Sequence, residues 1–348
     1  MGNRILWIDN LKAIAIFFVV IGHTVGLPET IEKLIFSFHM PVFFWLSGML
    51  VKDTLKEIPF LPFLKAKAKK RLIPYLYFSV ISYILWFALF RHFGTQAALN
   101  IPPVRPLIGI FYGNGINYWL VHNTVLWFFL CLFITEILFF YIIRIPSRRL
   151  LFLILFILSI IGYIDTYINK PDGFRFPWNI DIALTLVVFY GLGYALRKPI
   201  LSDNIFKRGG WLADESLIIL AMALYIVSSL LNDKVAVVAG LYGNYFLFYI
   251  AALSGIFFWI AIAKRIPQSK LFSKIGDSTL IIFPMHLLVF PFLTAIQVYI
   301  FKLPASLKHE SVILSILYAV ISILILLPVA DIIYKKFPFI LGIVKREG

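Results

Sequence analysis

Long apolar stretches recur along this chain, and they restrict its fold more than any other feature. A helix of about 20 apolar residues crosses the roughly 30 Å of hydrocarbon in a bilayer. Lipid offers the backbone no hydrogen bonds, so a spanning segment has to be a helix or part of a closed barrel. We therefore predict an all-α fold, a polytopic membrane helical bundle of about ten transmembrane helices. The predicted windows are 7–26, 33–51, 73–92, 119–143, 149–168, 180–197, 213–232, 244–264, 278–301 and 311–334.

The composition and the distribution of charge agree with this architecture. The 348 residues are 61% hydrophobic and 14% charged, whereas a soluble domain carries about 25% charged residues. Lys and Arg are about three times as frequent in the segments that ten crossings place on the side of the two termini. Both termini are therefore predicted to be cytoplasmic. The same excess accounts for the net charge of +15 without a nucleic-acid partner, and it favours contact with anionic membrane lipids.

No separate soluble domain is apparent, so residues 1–348 are predicted to form a single transmembrane domain. The longest segment between windows, near 93–118, is predicted to be a non-cytoplasmic loop of a length that often covers a site. The segment Lys52–Leu72 is predicted to be a cytoplasmic loop. It contains a run of basic residues from Lys65 to Arg71.

Ionisable side chains interrupt the first apolar window. Lys12 and His23 are eleven residues apart, which is three helical turns with about 20° left over, so they share one face of a helix. They are separated by about 16 Å along its axis. Asp9 joins this stripe three residues before Lys12. Because lipid does not solvate charge, such a stripe indicates a function.

Further polar side chains fall within the windows. The first loop is short, so windows one and two are predicted to be antiparallel neighbours, with His23 and His39 both in the outer half and able to approach each other. Hydrogen-bonded structural histidines are the alternative. Ser47 lies at the inner end of window two, where Gly48 and Pro41 favour helix packing. The remaining candidates are His122 and Trp127 near the outer end of window four, His286 near the middle of window nine, and the carboxylates Glu136, Asp181 and Asp331 as partners for the histidines.

Together these motifs resemble the acyltransferase-3 family of integral membrane O-acyltransferases, which includes fucose 4-O-acetylase-like enzymes and other enzymes that acetylate bacterial surface polysaccharides. The family signature opens with a basic residue, ten intervening residues and a histidine, matched by Lys12 and His23. The segment Phe38–Gly48 resembles the next family segment. Lys70–Pro74, Leu126–Phe128 and Ile275–His286 follow in family order. The chain departs from the family by carrying Lys at position 12 instead of the more frequent Arg, and a basic run made mostly of lysines.

The resemblance implies transfer of an acyl group, usually acetyl, from an acyl-CoA such as acetyl-CoA to a sugar hydroxyl of a cell-surface or lipid-linked glycan. It also implies the bacterial cytoplasmic (inner) membrane, with no permanently bound cofactor and no metal. An imidazole kept neutral by apolar surroundings can take a proton from a hydroxyl, so His23 is the candidate general base. His39 or Ser47 is the candidate donor to the oxyanion.

The donor substrate is expected to bind on the cytoplasmic side. Lys12 is too far from His23 to touch the same atom, so it is assigned to the path of the donor. Lys69, Lys70 and Arg71 suit the phosphates of coenzyme A, with the positive-inside rule as the alternative explanation of their charge. Two other functions fit a polytopic protein with ionisable residues at membrane depth: a proton-coupled transporter and a non-catalytic polysaccharide export subunit. Nothing in the sequence fixes an oligomeric state.

Overall fold

The structure is a computed structural model, and it describes residues 5–168, 175–201, 211–267 and 269–343. Within these residues the regular structure is helical, and no β-strand is present. This confirms the predicted all-α fold. The helices are α1 (Leu6–Gly22), α2 (Glu29–Met49), α3 (Phe60–Ala88), α4 (Gly94–Leu99), α5 (Val104–Tyr112), α6 (Trp127–Ile142), α7 (Arg148–Ile168), α8 (Ile180–Leu201), α9 (Trp211–Leu231), α10 (Tyr245–Arg265), α11 (Lys270–Ala295) and α12 (Val312–Lys336).

Each predicted window overlaps one of the longer helices, but fewer of them are long and apolar enough to cross a membrane. Six helical segments in the described residues qualify: Phe60–His92, Thr124–Ile142, Pro177–Leu201, Tyr245–Arg265, Lys270–Ile300 and Val312–Lys336. α1 has 17 residues and a length of about 26 Å, slightly short of the hydrocarbon core. α2 begins with Glu29 and Glu32 in its first turn. The count of ten crossings and the cytoplasmic termini therefore stay predictions.

The main differences from the sequence-based boundaries occur around the loops. α3 starts at Phe60 rather than near residue 73, so the basic run lies in a helix and the predicted loop is much shorter. Lysine, arginine and alanine are good helix formers. They can extend a membrane-spanning helix beyond the lipid without an apolar periodicity. The predicted loop near 93–118 contains the short helices α4 and α5.

α1 lies against α2, α10, α11 and α12. At its start, Asn10 Nδ2 donates hydrogen bonds of 3.1 and 3.2 Å to the carbonyls of Ala263 and Ile266. Asp9 lies so close to α11 that a Cβ at Gly276 would be 2.6 Å from the Asp9 carbonyl oxygen. These contacts fix the depth and the rotation of α1, and therefore the direction in which its polar stripe points.

The start of α1 and the end of α12 lie on the same side of the bundle. Leu6 at the start of α1 and Tyr334 near the end of α12 line one cleft of about 570 Å³. At the opposite end, the loop after α1 is packed so tightly that a Cβ at Gly26 would lie 2.4 Å from the Lys308 carbonyl oxygen. His23 therefore lies at the end of the bundle opposite to Leu6, which we call the His23 end.

Glycines bring α2 and α8 into close contact. A Cβ at Gly48 would lie 1.9 Å from the Tyr190 carbonyl oxygen, and a Cβ at Gly193 would lie 2.2 Å from that of Trp45. Backbones approach this closely only where side chains are absent. The structure therefore supports the packing interpretation of Gly48.

The loop after α2 is held to α8 by an ion pair. Asp53 accepts hydrogen bonds from Arg197, at 2.7 Å, and from the Tyr194 hydroxyl, at 2.7 Å. These bonds lower the pKa of Asp53 to about 2, because both stabilise the ionised carboxylate. Asp53 therefore stays ionised at neutral pH, and it fixes the short connection between α2 and α3 to α8.

Candidate active site

Three histidines from three helices converge near the His23 end of the bundle. His23 follows the last turn of α1, and its ring contacts that of His286 on α11 edge to face, with 5.0 Å between ring centroids. His39 on α2 packs against Phe36, whose ring would lie 3.6 Å from a Cβ at Gly22, the residue before His23. His39 and His286 are buried, and His23 is partly buried. The structure therefore places His286, predicted only as a further candidate, beside the predicted general base.

The hydrogen bonds of the three rings determine which nitrogen is basic. In each case Nδ1 lies near the carbonyl oxygen four residues earlier: 2.7 Å for His23, 2.8 Å for His39 and 3.2 Å for His286. A carbonyl oxygen only accepts, so Nδ1 carries the proton of each neutral ring. Nε2 is then the basic nitrogen. In the described part of the chain, Nε2 of His286 is buried without a hydrogen-bond partner.

Aromatic rings surround this histidine cluster. Phe36 packs edge to face against His39 at 5.1 Å, and Phe290 lies 5.9 Å from His286. Apolar surroundings disfavour a charged imidazolium and keep the basic nitrogens available. The cluster can therefore accept a proton from a hydroxyl that enters it. Among the described residues, no three His, Cys, Asp or Glu side chains are arranged to hold a metal ion.

Lys12 forms a separate polar position, far from the histidines. Its ammonium lies 3.6 Å from Asp9 Oδ1, and its side chain is 28% exposed. α1 is continuous between Lys12 and His23, so the helical rise separates them by about 16 Å. The two residues cannot contact one reacting atom.

Ser47 lies nearer to Lys12 than to the histidines. α1 and α2 are antiparallel neighbours, and a Cβ at Gly22 would contact Ile35 at 3.3 Å, which sets the register between them. Lys12 lies ten residues before Gly22 on α1, and Trp45 lies ten residues after Ile35 on α2. Lys12 and Trp45 are therefore at a similar depth in the bundle. Ser47 is half-buried at about that depth, about 12 Å along α2 from His39. Ser47 and His39 therefore cannot act on the same carbonyl.

The basic run on α3 divides into exposed cations and paired ones. Lys69 and Lys70 are exposed. Arg71 binds the buried Glu136 of α6 with two hydrogen bonds, of 3.1 and 2.9 Å, and Lys67 binds the same carboxylate at 2.6 Å. Arginine pairs with carboxylates in this bidentate manner. We call Lys67, Arg71 and Glu136 the α3–α6 ion cluster.

The carboxylates predicted as partners for the histidines bind other cations. Glu136 belongs to the α3–α6 ion cluster, Asp181 pairs with the buried Arg175 at 2.5 Å, and Asp331 pairs with Lys274 at 2.6 Å. That interpretation was therefore wrong. Glu136 and Asp181 are buried, and a buried carboxylate needs a permanent counter-ion, which guanidinium and ammonium groups provide better than a neutral imidazole.

His122 and Trp127 lie where the segment before α6 packs into the bundle. His122 is 4% exposed, and neither of its ring nitrogens has a hydrogen-bond partner in the part of the chain that the structure describes. Trp127 is 5% exposed, so it is a packed side chain and not part of an interfacial aromatic belt. Asn123, which belongs to no motif recognisable in the sequence, donates to Ser82 Oγ at 2.9 Å and to the Pro284 carbonyl at 2.7 Å.

Comparison with known proteins identifies the family of this fold and site. Residues 5–335 match a family described as an acyltransferase domain, Acyl_transf_3. The nodulation protein NolL of Sinorhizobium fredii (strain NBRC 101917 / NGR234) is 30% identical over 121 residues, which are 32% of this chain and 33% of NolL. The match thus spans about a third of that relative. No solved structure matches the chain significantly.

Proposed function

The chain belongs to the acyltransferase-3 family, and on that premise we propose that it is a membrane O-acyltransferase that transfers an acetyl group from cytoplasmic acetyl-CoA to a sugar hydroxyl of a cell-surface or lipid-linked glycan. We place it in a bacterial cytoplasmic membrane, with both termini in the cytoplasm. Acetyl-CoA is a substrate here, and no resident cofactor is required by the chemistry.

The contact between His23 and His286 carries this proposal. Transfer needs one base that takes the proton of the sugar hydroxyl and returns it to the leaving thiolate. Nε2 of His23 is suited to that role, because Nδ1 already donates to the Val19 carbonyl. The alkoxide attacks the thioester carbon, the carbon–sulfur bond breaks, and the proton on His23 passes to the sulfur of coenzyme A. Protons and charge then balance without another reactant.

His286 supports this cycle from the adjacent helix. While His23 holds the proton, the ring of His286 lies edge to face against it, with 5.0 Å between ring centroids, and we assign His286 to supporting the charged imidazolium of His23. Neither His286 nor His39 has a proton on Nε2 in its neutral form, so neither can donate from that atom to an oxyanion. We therefore reassign His39 from oxyanion donor to the wall of the site.

The donor path connects the two ends of α1. Coenzyme A phosphates would bind the exposed Lys69 and Lys70, and the pantetheine arm would pass Lys12 and Ser47 towards His23. Along α1 the arm would have to run roughly 16 Å from Lys12 to His23. Arg71 is the weakest of the predicted phosphate ligands, because Glu136 already occupies its guanidinium.

The experiment that tests this function is reconstitution of the purified chain in lipid nanodiscs with acetyl-CoA and glycan acceptors. We expect free coenzyme A to be released in proportion to acceptor, and an acceptor heavier by one acetyl group. A proton-coupled transporter would instead give substrate flux into liposomes without any acetylated product. Acetyl-CoA consumption that is independent of every glycan tested, together with such flux, would refute the proposal.

Replacement of Lys12 by alanine is expected to weaken donor binding more than folding. Loss of one charged contact costs about 1.5–3 kcal/mol, so the KM for acetyl-CoA should rise about ten-fold or more, with the acceptor KM unchanged. Lys33→Ala is the matched control, since Lys33 also forms a pair within one helix, with Glu29 at 3.8 Å. If both variants had the same KM for acetyl-CoA, Lys12 would form an ion pair with Asp9 and would not bind the donor.

A further inference from the structure

A second buried polar site lies between the half of α3 nearest to the His23 end of the bundle and the segment that precedes α6. His122 has both ring nitrogens buried and unpartnered, and Asn123 Oδ1 is buried and unpartnered as well, among the residues that the structure describes. His122 is 4% exposed and Asn123 is 1% exposed. Buried polar atoms are nearly always hydrogen-bonded, so three such atoms on adjacent residues offer a polar molecule three hydrogen-bonding positions at one place.

This site borders the histidine cluster. Asn123 Nδ2 donates to the Pro284 carbonyl at 2.7 Å, and Pro284 lies two residues before His286 on α11. The rise between them is about 3 Å. Nε2 of His286 is also buried without a hydrogen-bond partner in the described residues. The site of His122 and Asn123 therefore adjoins the turn of α11 that carries His286.

A cleft at the His23 end of the bundle gives this site an approach from the surface. It has a volume of about 260 Å³, and its polar lining consists of Arg91, His92, Gln96 and Asn100. Gln96 accepts a hydrogen bond of 3.1 Å from the indole of Trp86. Trp86 lies 6.1 Å from the Tyr83 ring, and Tyr83 packs edge to face against His122 at 5.9 Å. The rings of Trp86 and Tyr83 thus lie between the cleft and His122.

The available groups define the chemistry of the ligand. A neutral imidazole offers one donor and one acceptor, and the unpartnered Asn123 oxygen is an acceptor. A pair of hydroxyls, each able both to donate and to accept, satisfies all three. His122 has no ionic partner in the described residues, so a phosphate or a carboxylate would be buried there without a counter-charge. Sugar rings also present C–H faces that pack on aromatic side chains.

We propose that His122 and Asn123 bind the sugar acceptor, by hydrogen bonds to hydroxyls next to the one that is acylated. This inference rests on the proposed function and names the residues that hold its acceptor. The acceptor enters through the cleft at Gln96, passes Trp86 and Tyr83, and presents one hydroxyl to the histidine cluster. His122 is a binding residue in this arrangement and takes no part in proton transfer.

The test uses His122→Leu in the full chain in nanodiscs, with acetyl-CoA as the donor and a set of methyl hexosides and methyl deoxyhexosides as acceptor probes. We expect the acceptor KM to rise at least ten-fold, while the acetyl-CoA KM and the slow hydrolysis of acetyl-CoA by water stay within two-fold. His122→Gln retains a donor and an acceptor and should recover most of the loss. His309→Leu, at an exposed histidine, should behave as wild type.

A purely structural His122 predicts a different result. Removing unpartnered buried nitrogens would then raise the thermal stability and leave the acceptor KM unchanged, and that outcome would overturn the proposal. Equal loss of hydrolysis and transfer would also overturn it, because it would place His122 in donor binding or catalysis. If wild-type protein hydrolyses acetyl-CoA but acylates none of the probes or native glycans, the proposed function itself fails, and this inference fails with it.

Discussion

Replacement of His23 by alanine is expected to lower the rate of acyl transfer by about 10²–10⁴-fold while acetyl-CoA still binds. The expectation follows from the position of Nε2, which is the basic nitrogen of a ring whose Nδ1 is committed to the Val19 carbonyl. Without this base, only water could take the proton of the sugar hydroxyl. The apolar surroundings exclude water from the site. Donor binding should persist because Lys12, Lys69 and Lys70 are untouched.

The measurement is the turnover of purified protein in nanodiscs, paired with the equilibrium binding of coenzyme A. His309→Ala controls for the loss of a histidine outside the cluster. His286→Ala should cause a smaller fall than His23→Ala, since His286 only supports the ring that takes the proton. Near-normal turnover of the His23 variant would contradict the mechanism, and a greater fall for His286 than for His23 would exchange their roles.

The fold could be predicted from the sequence because lipid leaves the backbone few choices. Ten apolar windows each overlap one helix, and the register of Lys12 and His23 follows from helical geometry alone. The start of α3 could not be predicted, because the run from Lys65 to Arg71 is polar yet helical. An apolar window indicates which residues lie in the hydrocarbon core, but the helix can continue beyond them.

The candidate site was predictable only along single helices. The approach of His286 to His23 depends on α11 packing beside α1, and the close contact at Gly276 sets that register. Contacts between distant helices leave no local pattern in one sequence. Asn123 was missed for a similar reason, because its partners Ser82 and Pro284 lie on two other helices. Helical geometry singled out His23 and Lys12, the family resemblance suggested their roles, and the packing of the helices supplied their neighbours.

Replacement of Glu136 by alanine is expected to destabilise the folded protein more than loss of any of the exposed ion pairs. Its side chain is 1% exposed and binds both Lys67 and Arg71. Removing one side of a buried ion pair leaves uncompensated charge and costs about 3–5 kcal/mol. We expect a marked fall in the thermal denaturation temperature of the detergent-solubilised protein. Glu215→Ala is the control, because Glu215 pairs with Arg265 at 2.7 Å on the surface, where such pairs contribute about 1 kcal/mol or less.

A neutral version of the α3–α6 ion cluster separates folding from donor binding. Replacing Lys67 and Arg71 by methionine and Glu136 by leucine removes all three charges together, and buried ion pairs replaced in this way often keep or gain stability. If this triple variant is stable and its KM for acetyl-CoA matches wild type, Arg71 acts only as the partner of Glu136, and phosphate binding rests on Lys69 and Lys70. A stable variant with a raised KM would mean that Glu136 holds Arg71 in place for the donor. Wild-type stability of Glu136→Ala would contradict a buried ion cluster altogether.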